Sequence, residues 1–301
     1  MELRDLEYFA VVAEHGNVTR AAQALDLSPP ALSKSLRRLE KSVGAKLVKR
    51  TPKGVELTSV GTAMVDQVRR IRLTLEDVKR EAADLSQGRA GHLRIAVPPH
   101  MVEQLPRAYS ALLKDAPKLT LDITVTDNDE TVPLLCKGEL DMIFGMLPAS
   151  PYEGTVQEWL YDDDFVVFAS ANHRLFRQKR VTIKDIEHEG WALSKVNLLP
   201  QYPLLRLFQD NGLPPPRVVV QTRSLRLRLH IWSTTDLLGY TSKQVVRLAA
   251  PRFRLREIPI KELAWRRPVG VIYRKDAYLP PAAKRLINIL KTMAKDIATE
   301  S

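Results

Sequence analysis

Apolar residues in the first 45 positions recur every three or four residues, which predicts three consecutive helices. The first helix ends at Gly16, Asn17 caps the second, and Ser28 caps the third. The third helix buries one apolar stripe and presents a polar face. The stripe consists of Leu32, Leu36, Leu39 and Val43, and the polar face carries Ser33, Lys34, Arg37 and Lys41. This is a helix-turn-helix pattern, and its alternative is a helical bundle whose charged face is only solvated.

A basic hairpin is predicted directly after these helices. Residues 46–57 form two short apolar runs around a Pro-Lys-Gly turn, and the hairpin carries Arg50, Thr51 and Lys53. A basic hairpin that follows a helix-turn-helix is a wing, which suits contact with DNA phosphates or the minor groove. The hairpin therefore favours a DNA-binding module over a solvated bundle.

A long helix is predicted next, with Thr58 as its cap. Its apolar positions alternate at spacings of four and three: Met64, Val68, Ile71, Leu75, Val78, Ala82 and Leu85. Such a heptad-like seam with charged flanks is typical of two long helices that pair. The alternative is a long helix that packs on its own domain. A dimer seam is favoured, because dimerisation holds two recognition helices at a fixed separation.

From residue 92 onward the pattern changes to alternating strands and helices. Strands are predicted at 93–97, 119–126, 142–146, 165–168, 191–193, 218–220, 237–241 and 268–273. Helices are predicted at 102–114, 130–137, 204–209, 225–232, 243–248 and 282–297. This alternation favours parallel α/β units, and the last strand could return to the first half of the region.

The N-terminal motifs resemble the winged helix-turn-helix of LysR-type transcriptional regulators. The resemblance rests on FAVVAE at 9–14, NVTRAA at 17–22, LSPPALS at 27–33, LE at 39–40, RTPKGVELT at 50–58 and Gly61. It implies a DNA-binding set of Asn17, Thr19, Arg20, Ser28, Pro29, Ser33, Lys34, Arg37, Arg50, Thr51 and Lys53. Pro29 departs from the family, which usually has a Gln there that often touches DNA. Ser33, Lys34 and Arg37 are therefore the expected base and phosphate contacts.

The rest of the chain resembles, more loosely, the effector domain of the same family, which is similar to periplasmic solute-binding proteins. The resemblance rests on LRI at 93–95, on 134–144 with GELD at 138–141, and on HRL at 173–175. It implies an α/β, two-lobed, periplasmic-binding-protein-like (type 2) domain with a small molecule in its cleft. The expected organisation is a winged helix-turn-helix at 1–58, a dimerising linker helix at 59–88 and an effector domain at 89–301. Lobe I would span about 89–161 and 267–301, and lobe II about 162–266.

Candidate effector contacts lie where strands end, since ligands of open α/β sheets bind beyond the carboxyl ends of strands. They are Pro99, His100, Asp127, Asn128, Met146, Ser194, Thr222, Arg223, Ser224 and Thr241. Residues 222–224 link a strand to a helix N-terminus, which is a natural anion site. Each residue also has a plainer interpretation: Asp127 and Asn128 as turn residues or caps, His100 as a cap or a solvent-facing side chain, and Arg223 as a surface ion-pair partner. The family often has Ser or Thr near His100, so an imidazole indicates a different effector chemistry.

The charge of the chain, which has 301 residues, is +11, from 46 Lys and Arg against 35 Asp and Glu. Such an excess indicates an anionic partner. The basic residues concentrate at 34–53, where Glu40 is the single acid, and at 217–285. The second region favours an anionic effector such as a carboxylate. The alternative places its arginines on outer faces or an oligomer surface: Arg226, Arg228, Arg252, Arg254 and Arg256.

Several classes of protein are disfavoured. Cys136 is the single cysteine, which excludes an intrachain disulfide and fits a reducing cytoplasm, and we expect it to be a buried small hydrophobe. The chain has none of the nucleophile-elbow, phosphate-loop, dinucleotide or zinc-protease motifs. The acidic run 162–164 is predicted to be a turn rather than a metal cluster. No segment approaches the roughly 18 apolar residues of a membrane helix, and the N-terminus lacks the order of a signal peptide.

These observations predict a cytoplasmic LysR-type transcription regulator that has no enzyme activity, no metal and no cofactor. The expected partners are double-stranded DNA with an interrupted palindromic operator, a small organic acid, further copies of the chain in a dimer or tetramer, and RNA polymerase. No membrane partner is expected. Two rival hypotheses stay open. The first is a DNA-binding protein whose cleft is filled by side chains, and the second is an enzyme that uses the two lobes as its catalytic domain.

Overall fold

The structure is a computed structural model that describes residues 1–52, 54–87, 91–126, 128–194, 204–263 and 265–299. The chain divides into two compact units, Met1–Gln87 and Gly88–Ser301. The first unit contains α1 (Leu3–His15), α2 (Val18–Ala24), α3 (Pro29–Val43), β1 (Val48–Thr51), β2 (Gly54–Leu57) and α4 (Ser59–Gln87). The three helices, the hairpin and the long helix that the sequence predicts in this unit are confirmed.

The ends of these helices are set by the residues that the sequence predicted. Asn17 Oδ1 accepts hydrogen bonds from the backbone amides of Thr19 (2.9 Å) and Arg20 (3.1 Å). Ser28 Oγ accepts from an amide in the first turn of α3. Gly16 ends α1 in the left-handed conformation with φ of 57°, which costs a glycine little. These are local interactions, so the sequence alone suffices to predict them.

The core of the first unit lies among α1, α2, α3 and the start of α4. The buried residues that form it are Leu6, Phe9, Ala10, Val12, Ala21, Ala22, Leu32, Leu36, Leu39, Leu47, Val65 and Val68. Val43 was predicted to belong to the buried stripe of α3, and this is wrong, because it is 36% exposed. It is the last helical residue, and Gly44 turns the chain away directly after it.

The β1–β2 hairpin is held against the helices by close backbone approach. The amide of Val55 donates to the carbonyl of Gly16 at 2.8 Å. A Cβ at Gly54 would lie 2.3 Å from that same carbonyl oxygen, and a Cβ at Gly61 would lie 2.0 Å from the carbonyl oxygen of Leu47. Any larger residue at these two positions would therefore push the hairpin away from its support.

The predicted seam of α4 divides into two parts. Met64 and Val68 pack in the core of the first unit, and Val68 is only 2% exposed, so the alternative of packing on its own domain is correct there. Farther along, Ile71 is 41% exposed and Val78 is 56% exposed, whereas Leu75 is half-buried. Ala82 is exposed, and the side chain of Leu85 lies outside the described residues. The uncovered seam therefore begins at residue 71.

The second unit is built on a seven-stranded mixed sheet. The unit as a whole has nine strands in the described ranges: β3 (His92–Val97), β4 (Thr120–Val125), β5 (Met142–Met146), β6 (Thr155–Ser170), β7 (Gly190–Leu193), β8 (Arg217–Gln221), β9 (Gly239–Ser242), β10 (Leu255–Ile258) and β11 (Trp265–Arg274). Its helices are α5 (Pro106–Asp115), α6 (Asn128–Cys136), α7 (Leu204–Asp210), α8 (Leu225–Thr234), α9 (Lys243–Phe253) and α10 (Pro281–Thr299). The order in the sheet is β10-β6-β11-β5-β3-β4, β9 pairs with β6, and β7 and β8 form a separate parallel pair.

The expectation of parallel α/β units is correct for part of this sheet. Strand β3 pairs in parallel with β4 and β5. Strand β11 is antiparallel to both β5 and β6, because it returns from the second half of the unit to the first. Strands β9 and β10 also pair antiparallel with β6, and β10 has no counterpart in the sequence prediction.

The buried hydrophobic residues of this unit form separate clusters in two halves, which we call lobe I and lobe II. The lobe I core surrounds β3, α5 and α10 and contains Leu93, Ile95, Leu112, Leu286 and Leu290. The lobe II cores contain Phe165, Phe168, Trp191, Phe208, Trp232 and Tyr240. Strand β6 runs through both lobes, since its Leu160 and Tyr161 pack in lobe I and its Phe165 and Val167 pack in lobe II.

Three local predictions are wrong. The helix expected at 102–114 is a 3₁₀ helix, Pro99–Gln104, followed by α5, because Pro106 has no N–H and occupies the first position of α5. The acidic run 162–164 lies inside the 16-residue strand β6, where no turn is needed. Cys136 is exposed, because it is the last residue of α6.

None of the helices in the described ranges is long and apolar enough to cross a bilayer.

Candidate DNA-binding and effector-binding sites

The polar face of α3 is uncovered and carries the exposed cations Lys34, Arg37 and Lys41. Lys34 and Arg37 are exposed, and Ser33 is half-buried. Ser28 and Pro29 at the start of the helix are also exposed. The buried stripe of α3 fixes which face points outward, so the sequence periodicity predicted the cationic face correctly.

Arg38 on α3 has a structural role that the sequence analysis missed. Its Nε donates to Asp5 Oδ2 at 2.8 Å and its Nη2 lies 2.6 Å from Asp5 Oδ1, and Ser35 donates to the same carboxylate. The Asp5 side chain is fully buried, and the hydrogen bond from Arg38 lowers the pKa of this carboxyl. This pair fixes α3 on α1, so Arg38 is a structural cation of α3.

The elements beside α3 present the other predicted DNA contacts in different ways. Thr19 and Arg20 are exposed on α2, whereas Asn17 uses its side-chain oxygen as the cap. Arg50 is exposed and Thr51 is half-buried at the end of β1. Lys53 lies outside the described residues.

Glu40 ties the wing to α3. Its buried carboxylate lies 2.7 Å from Lys46 Nζ and accepts from the amide of Leu47 at 3.0 Å. Burial alone would raise the pKa of Glu40, but these hydrogen bonds outweigh it and lower that pKa. The single acid in the basic stretch 34–53 is therefore a structural residue.

The structure places the predicted effector contacts in four different settings, and Arg223 is described separately below. Met146, Ser194 and Thr241 are buried at or near strand ends. Thr222 and Ser224 serve as local caps, since Thr222 Oγ1 accepts from the amide of Ser224 (3.2 Å) and Ser224 Oγ from that of Leu227 (3.3 Å). Asp127 and the side chain of Asn128 lie outside the described residues. Pro99 and His100 occupy the 3₁₀ helix Pro99–Gln104 and are half-buried.

His100 brings a lobe I side chain against a lobe II aromatic cluster. Its ring centroid lies 5.8 Å from that of Phe165, which in turn contacts Tyr240 (5.7 Å) and Trp265 (5.4 Å). His100 Nε2 is buried and has no hydrogen-bond partner among the described residues. Burial, together with the charge of Arg228, lowers the pKa of His100 to about 4. A neutral imidazole therefore lies at the junction of the lobes, with its buried Nε2 making no hydrogen bond to the described residues.

The low pKa of His100 predicts a loss of stability on acidification. The pKa is 6.5 in the unfolded chain and about 4 in the folded chain, so between these pH values only the unfolded chain binds the proton. The free energy of unfolding therefore falls as the pH drops from 6.5 to 4, by on the order of 2 kcal/mol. Urea unfolding at pH 7 and pH 4.5 should show this loss reduced in His100→Gln. The exposed His188→Gln variant is the control, and an equal loss in all three chains would contradict the prediction.

Arg228 is a functional candidate that the sequence analysis misplaced. It is 5% exposed, whereas the outer-surface alternative is correct for Arg226, Arg252, Arg254 and Arg256. Its guanidinium donates to the carbonyl of Thr222 and lies 5.6 Å from the ring of Trp232. The helical spacing of Leu225, Leu229 and Trp232 puts residue 228 on the same buried face, so this periodicity could have revealed it.

Arg223 joins the two lobes at their surface. Its Nη1 lies 3.1 Å from Glu130 Oε1 on α6, and both side chains are about half exposed. Glu130 also accepts from Thr126 Oγ1, and these two hydrogen bonds lower its pKa. The ion pair of the plainer interpretation is therefore present, and an effector contact by Arg223 stays a prediction.

Two other polar residues are structural. His173 of the HRL motif is buried, and its Nδ1 accepts from the amide of Leu175 (3.3 Å) while Nε2 lies 3.1 Å from the carbonyl of Asp236. Asp163 accepts from the hydroxyl of Ser242, which caps α9, and burial raises the pKa of Asp163 to about 6. Within the described ranges, no group of three or more His, Cys, Asp or Glu residues could hold a metal ion.

Comparison with known proteins covers both units. The family model for the bacterial regulatory helix-turn-helix protein, lysR family, matches residues 3–62, and that for the LysR substrate binding domain matches residues 86–295. The HTH-type transcriptional regulator GbpR of Azospirillum brasilense is 29% identical over 297 residues, which is 97% of this chain and 86% of GbpR.

Two solved structures have the same fold as this chain. Full-length CbnR complexed with its target DNA has a TM-score of 0.61 at 23% identity, covering 97% of this chain and 99% of CbnR. Full-length LysG of Corynebacterium glutamicum, with bound effector Arg, has a TM-score of 0.66 at 18% identity, covering 98% and 99% of the two chains.

Proposed function

This chain belongs to the LysR family of transcriptional regulators, and on that premise we propose that it regulates transcription in response to a small anionic effector bound between lobes I and II. Members of the family are DNA-binding regulators with an effector-binding domain, and they are not enzymes. The finer points of the proposal are the DNA contacts, the charge of the effector and the way in which the two are coupled.

The exposed cationic face of α3 supports a role as the recognition helix. A recognition helix lies in the major groove and presents a few side chains to base edges, while neighbouring elements contact phosphates. Lys34 and Arg37 would make the central contacts, with Ser33 beside them. The surrounding contacts would come from Asn17, Thr19, Arg20, Ser28, Arg50, Thr51 and Lys53. The separation of two such helices would be set by a dimer formed through α4.

The proposal that the effector is an anion rests on the buried guanidinium of Arg228. The guanidinium donates to the carbonyl of Thr222 and carries its charge in a buried place, where an anion is attracted more strongly than in water. Arg228 acts electrostatically on His100, which links it to the junction of the lobes. A carboxylate there could pair with Arg228 while His100, as a neutral imidazole, donates or accepts a hydrogen bond. The buried residues Met146, Ser194 and Thr241 would line the same cleft.

Effector binding would act by shifting a conformational equilibrium. A molecule that contacts both lobes binds one arrangement of the lobes more tightly and so increases its population. This shift would change how the subunits pack. The new packing would then alter the spacing or bend of the operator and the recruitment of RNA polymerase. Because coupling between sites is reciprocal, operator DNA must change the affinity for the effector by the same factor. These partners would place the protein in the cytoplasm.

Calorimetry with a library of organic acids tests the proposal. We expect at least one acid to bind the full chain and to change its affinity for DNA. Arg228→Gln should weaken that acid at least tenfold, as expected for loss of a charge-assisted hydrogen bond in a buried site. Arg226→Gln, an exposed position on the same helix, should leave the affinity unchanged.

One rival hypothesis predicts a different outcome. If DNA binding is intact but no acid in a wide library binds, the cleft is filled by side chains and the effector proposal is wrong. The other rival, an enzyme, is already excluded, because members of this family are transcriptional regulators. Equal affinity in Arg228→Gln and the natural chain would remove Arg228 from the site.

A further inference from the structure

The edge strand β10 of lobe II lies among exposed cations, which we call the β10 patch. The patch is formed by two segments, 177–180 and 252–256, and its cations are Arg177, Lys179, Arg180, Arg252, Arg254 and Arg256. We propose that the β10 patch is a second DNA-binding surface, which holds the phosphate backbone of the duplex that flanks the operator. The inference rests on the proposed function for its partner, DNA, but it uses lobe II instead of α3 and the hairpin.

The two segments of the patch are far apart in the chain and meet in the fold. The amide of Ala171 donates to the carbonyl of Arg254 at 2.7 Å. The guanidinium of Arg256 lies 4.6 Å from the ring centroid of Phe176, which belongs to the 3₁₀ helix Arg174–Arg177. These contacts bring the cations that follow Phe176 to the cations of β10, so the two short basic runs form one surface.

Three acidic residues of the neighbouring segments are engaged elsewhere. Glu189 is buried and pairs with Arg174. The carboxylate of Asp185 accepts from a backbone amide at 2.7 Å, and that of Glu257 lies 3.9 Å from Lys243 Nζ. In the part of the chain that the structure describes, none of the six patch cations forms an ion pair. Their charge is therefore available to a partner.

Lobe II carries more positive charge than one small effector can balance. Residues 162–266 contain 18 Lys and Arg against 10 Asp and Glu, which is a net charge of +8. Lobe I, at 89–161 and 267–301, contains 13 of each and is neutral. The whole excess of the effector domain therefore lies on one lobe, and an excess of this size fits a polyanion better than a single small acid.

Two aromatic rings hold arginines of the patch. Arg256 lies over the ring of Phe176, and Arg252 lies over that of Phe253 at 5.5 Å. Both rings pack at the edges of the lobe II cores. A stacked guanidinium keeps its N–H donors in a defined plane, where two of them can bind one phosphate. Because the rings are covered in this way, they leave the patch with charge and without an exposed aromatic anchor.

Charge without an aromatic anchor favours DNA over a protein partner. Protein interfaces depend on aromatic and arginine side chains that fill pockets, whereas contacts to the DNA backbone need cations and hydrogen-bond donors. Duplex DNA presents one negative charge per about 1.7 Å of its axis, whatever its sequence. Any duplex beside the operator can therefore supply phosphates to the β10 patch.

Lengthening the DNA tests the inference. The probes are a duplex of about six helical turns that the full-length chain recovers from a randomised pool, and the same duplex extended by about four turns of arbitrary sequence at each end. We expect the natural chain to bind the extended duplex about tenfold more tightly at low salt. In the Arg254→Gln, Arg256→Gln chain this gain should be lost. The slope of log affinity against log salt should become shallower by about two for each patch in contact.

Two further chains make the result specific to the patch. Lys179→Gln with Arg180→Gln changes its other segment, away from the ring contacts, and should show the same loss. Lys114→Gln with Lys284→Gln removes two exposed cations from lobe I and should bind both duplexes as the natural chain does. Hydroxyl-radical footprinting should show protected flanks with the natural and lobe I chains and unprotected flanks with both patch variants. Circular dichroism checks that all the variants are folded.

The outcomes separate this inference from the proposed function. If the chain recovers no DNA from the pool, the DNA-binding function itself fails. If DNA is recovered and both patch variants bind the extended duplex as the natural chain does, this inference alone is overturned, and α3 keeps its assignment. The same conclusion holds if the patch variants lose only the binding of an acidic protein.

Discussion

A chain that carries both Ile71→Glu and Leu75→Glu is expected to be a monomer at concentrations at which the natural chain is a dimer. The uncovered seam of α4 begins at Ile71, and burying it against a second copy would remove apolar surface from water. The two substitutions change four side chains per dimer. Each apolar side chain loses about 1.5 kcal/mol or more of burial, so the dimer should weaken by at least 1,000-fold. Light scattering over a range of protein concentrations measures the change.

The control carries the same two charges on α4 away from the seam. Thr62→Glu with Ala83→Glu places glutamates at exposed positions outside the four-and-three pattern, and this chain should stay dimeric. Both double variants should keep the helix content of the natural chain. An intact dimer in the Ile71→Glu, Leu75→Glu chain would show that α4 does not pair through this seam. DNA affinity should fall with dimerisation, because each monomer can occupy only one half-site.

Combined replacement of Lys34 and Arg37 by alanine is expected to lower operator affinity by at least 100-fold. Each base or phosphate contact of a recognition helix contributes about 1–3 kcal/mol, and two are removed from every half-site. Both side chains are exposed and neither packs in the core, so the fold should be unaffected. Fluorescence anisotropy at a fixed, physiological salt concentration gives the affinity, and its dependence on salt gives the number of phosphate contacts.

Arg4→Ala provides the matched control, since it removes an exposed cation from α1, outside the proposed interface. It should leave specific binding almost unchanged. If a single variant, Lys34→Ala or Arg37→Ala, binds as well as the natural chain, that residue lies outside the interface. If the loss is equal on operator and random DNA, the contact is to phosphate. A loss confined to the operator identifies a contact to a base edge.

The N-terminal half of the site could be predicted because it depends on local interactions. Asn17 and Ser28 cap helices through amides two or three residues away, and Gly16 and Gly44 end helices by their own backbone freedom. The periodicity of Leu32, Leu36 and Leu39 then fixes which residues of α3 face outward. The interacting residues of each cap and of the buried stripe lie within a few helical turns of one another, so the local sequence is sufficient to predict them.

The effector-binding half could be predicted only in outline. The rule that ligands bind at strand ends selected Met146, Ser194 and Thr241, whose burial is compatible with a place in a cleft. The same rule also selected Thr222 and Ser224, whose hydroxyl groups serve as local caps. Arg223 pairs with Glu130, 93 residues earlier in the chain, and no local pattern indicates a partner at that distance. The alternative that placed Arg228 on an outer face is wrong, because this residue lies on the buried face of α8.

Short-range patterns and motifs were sufficient to predict the helices of the first unit, their caps, the cationic face of α3 and the family. The tertiary structure alone decided where the seam of α4 becomes uncovered, because burial of Val68 and exposure of Ile71 depend on which helices pack nearby. It also decided that β11 runs antiparallel beside β5, that Asp163 lies within a strand and that His100 meets Phe165. These features join residues far apart in the chain, and hydrophobic periodicity contains no information about which distant segments meet.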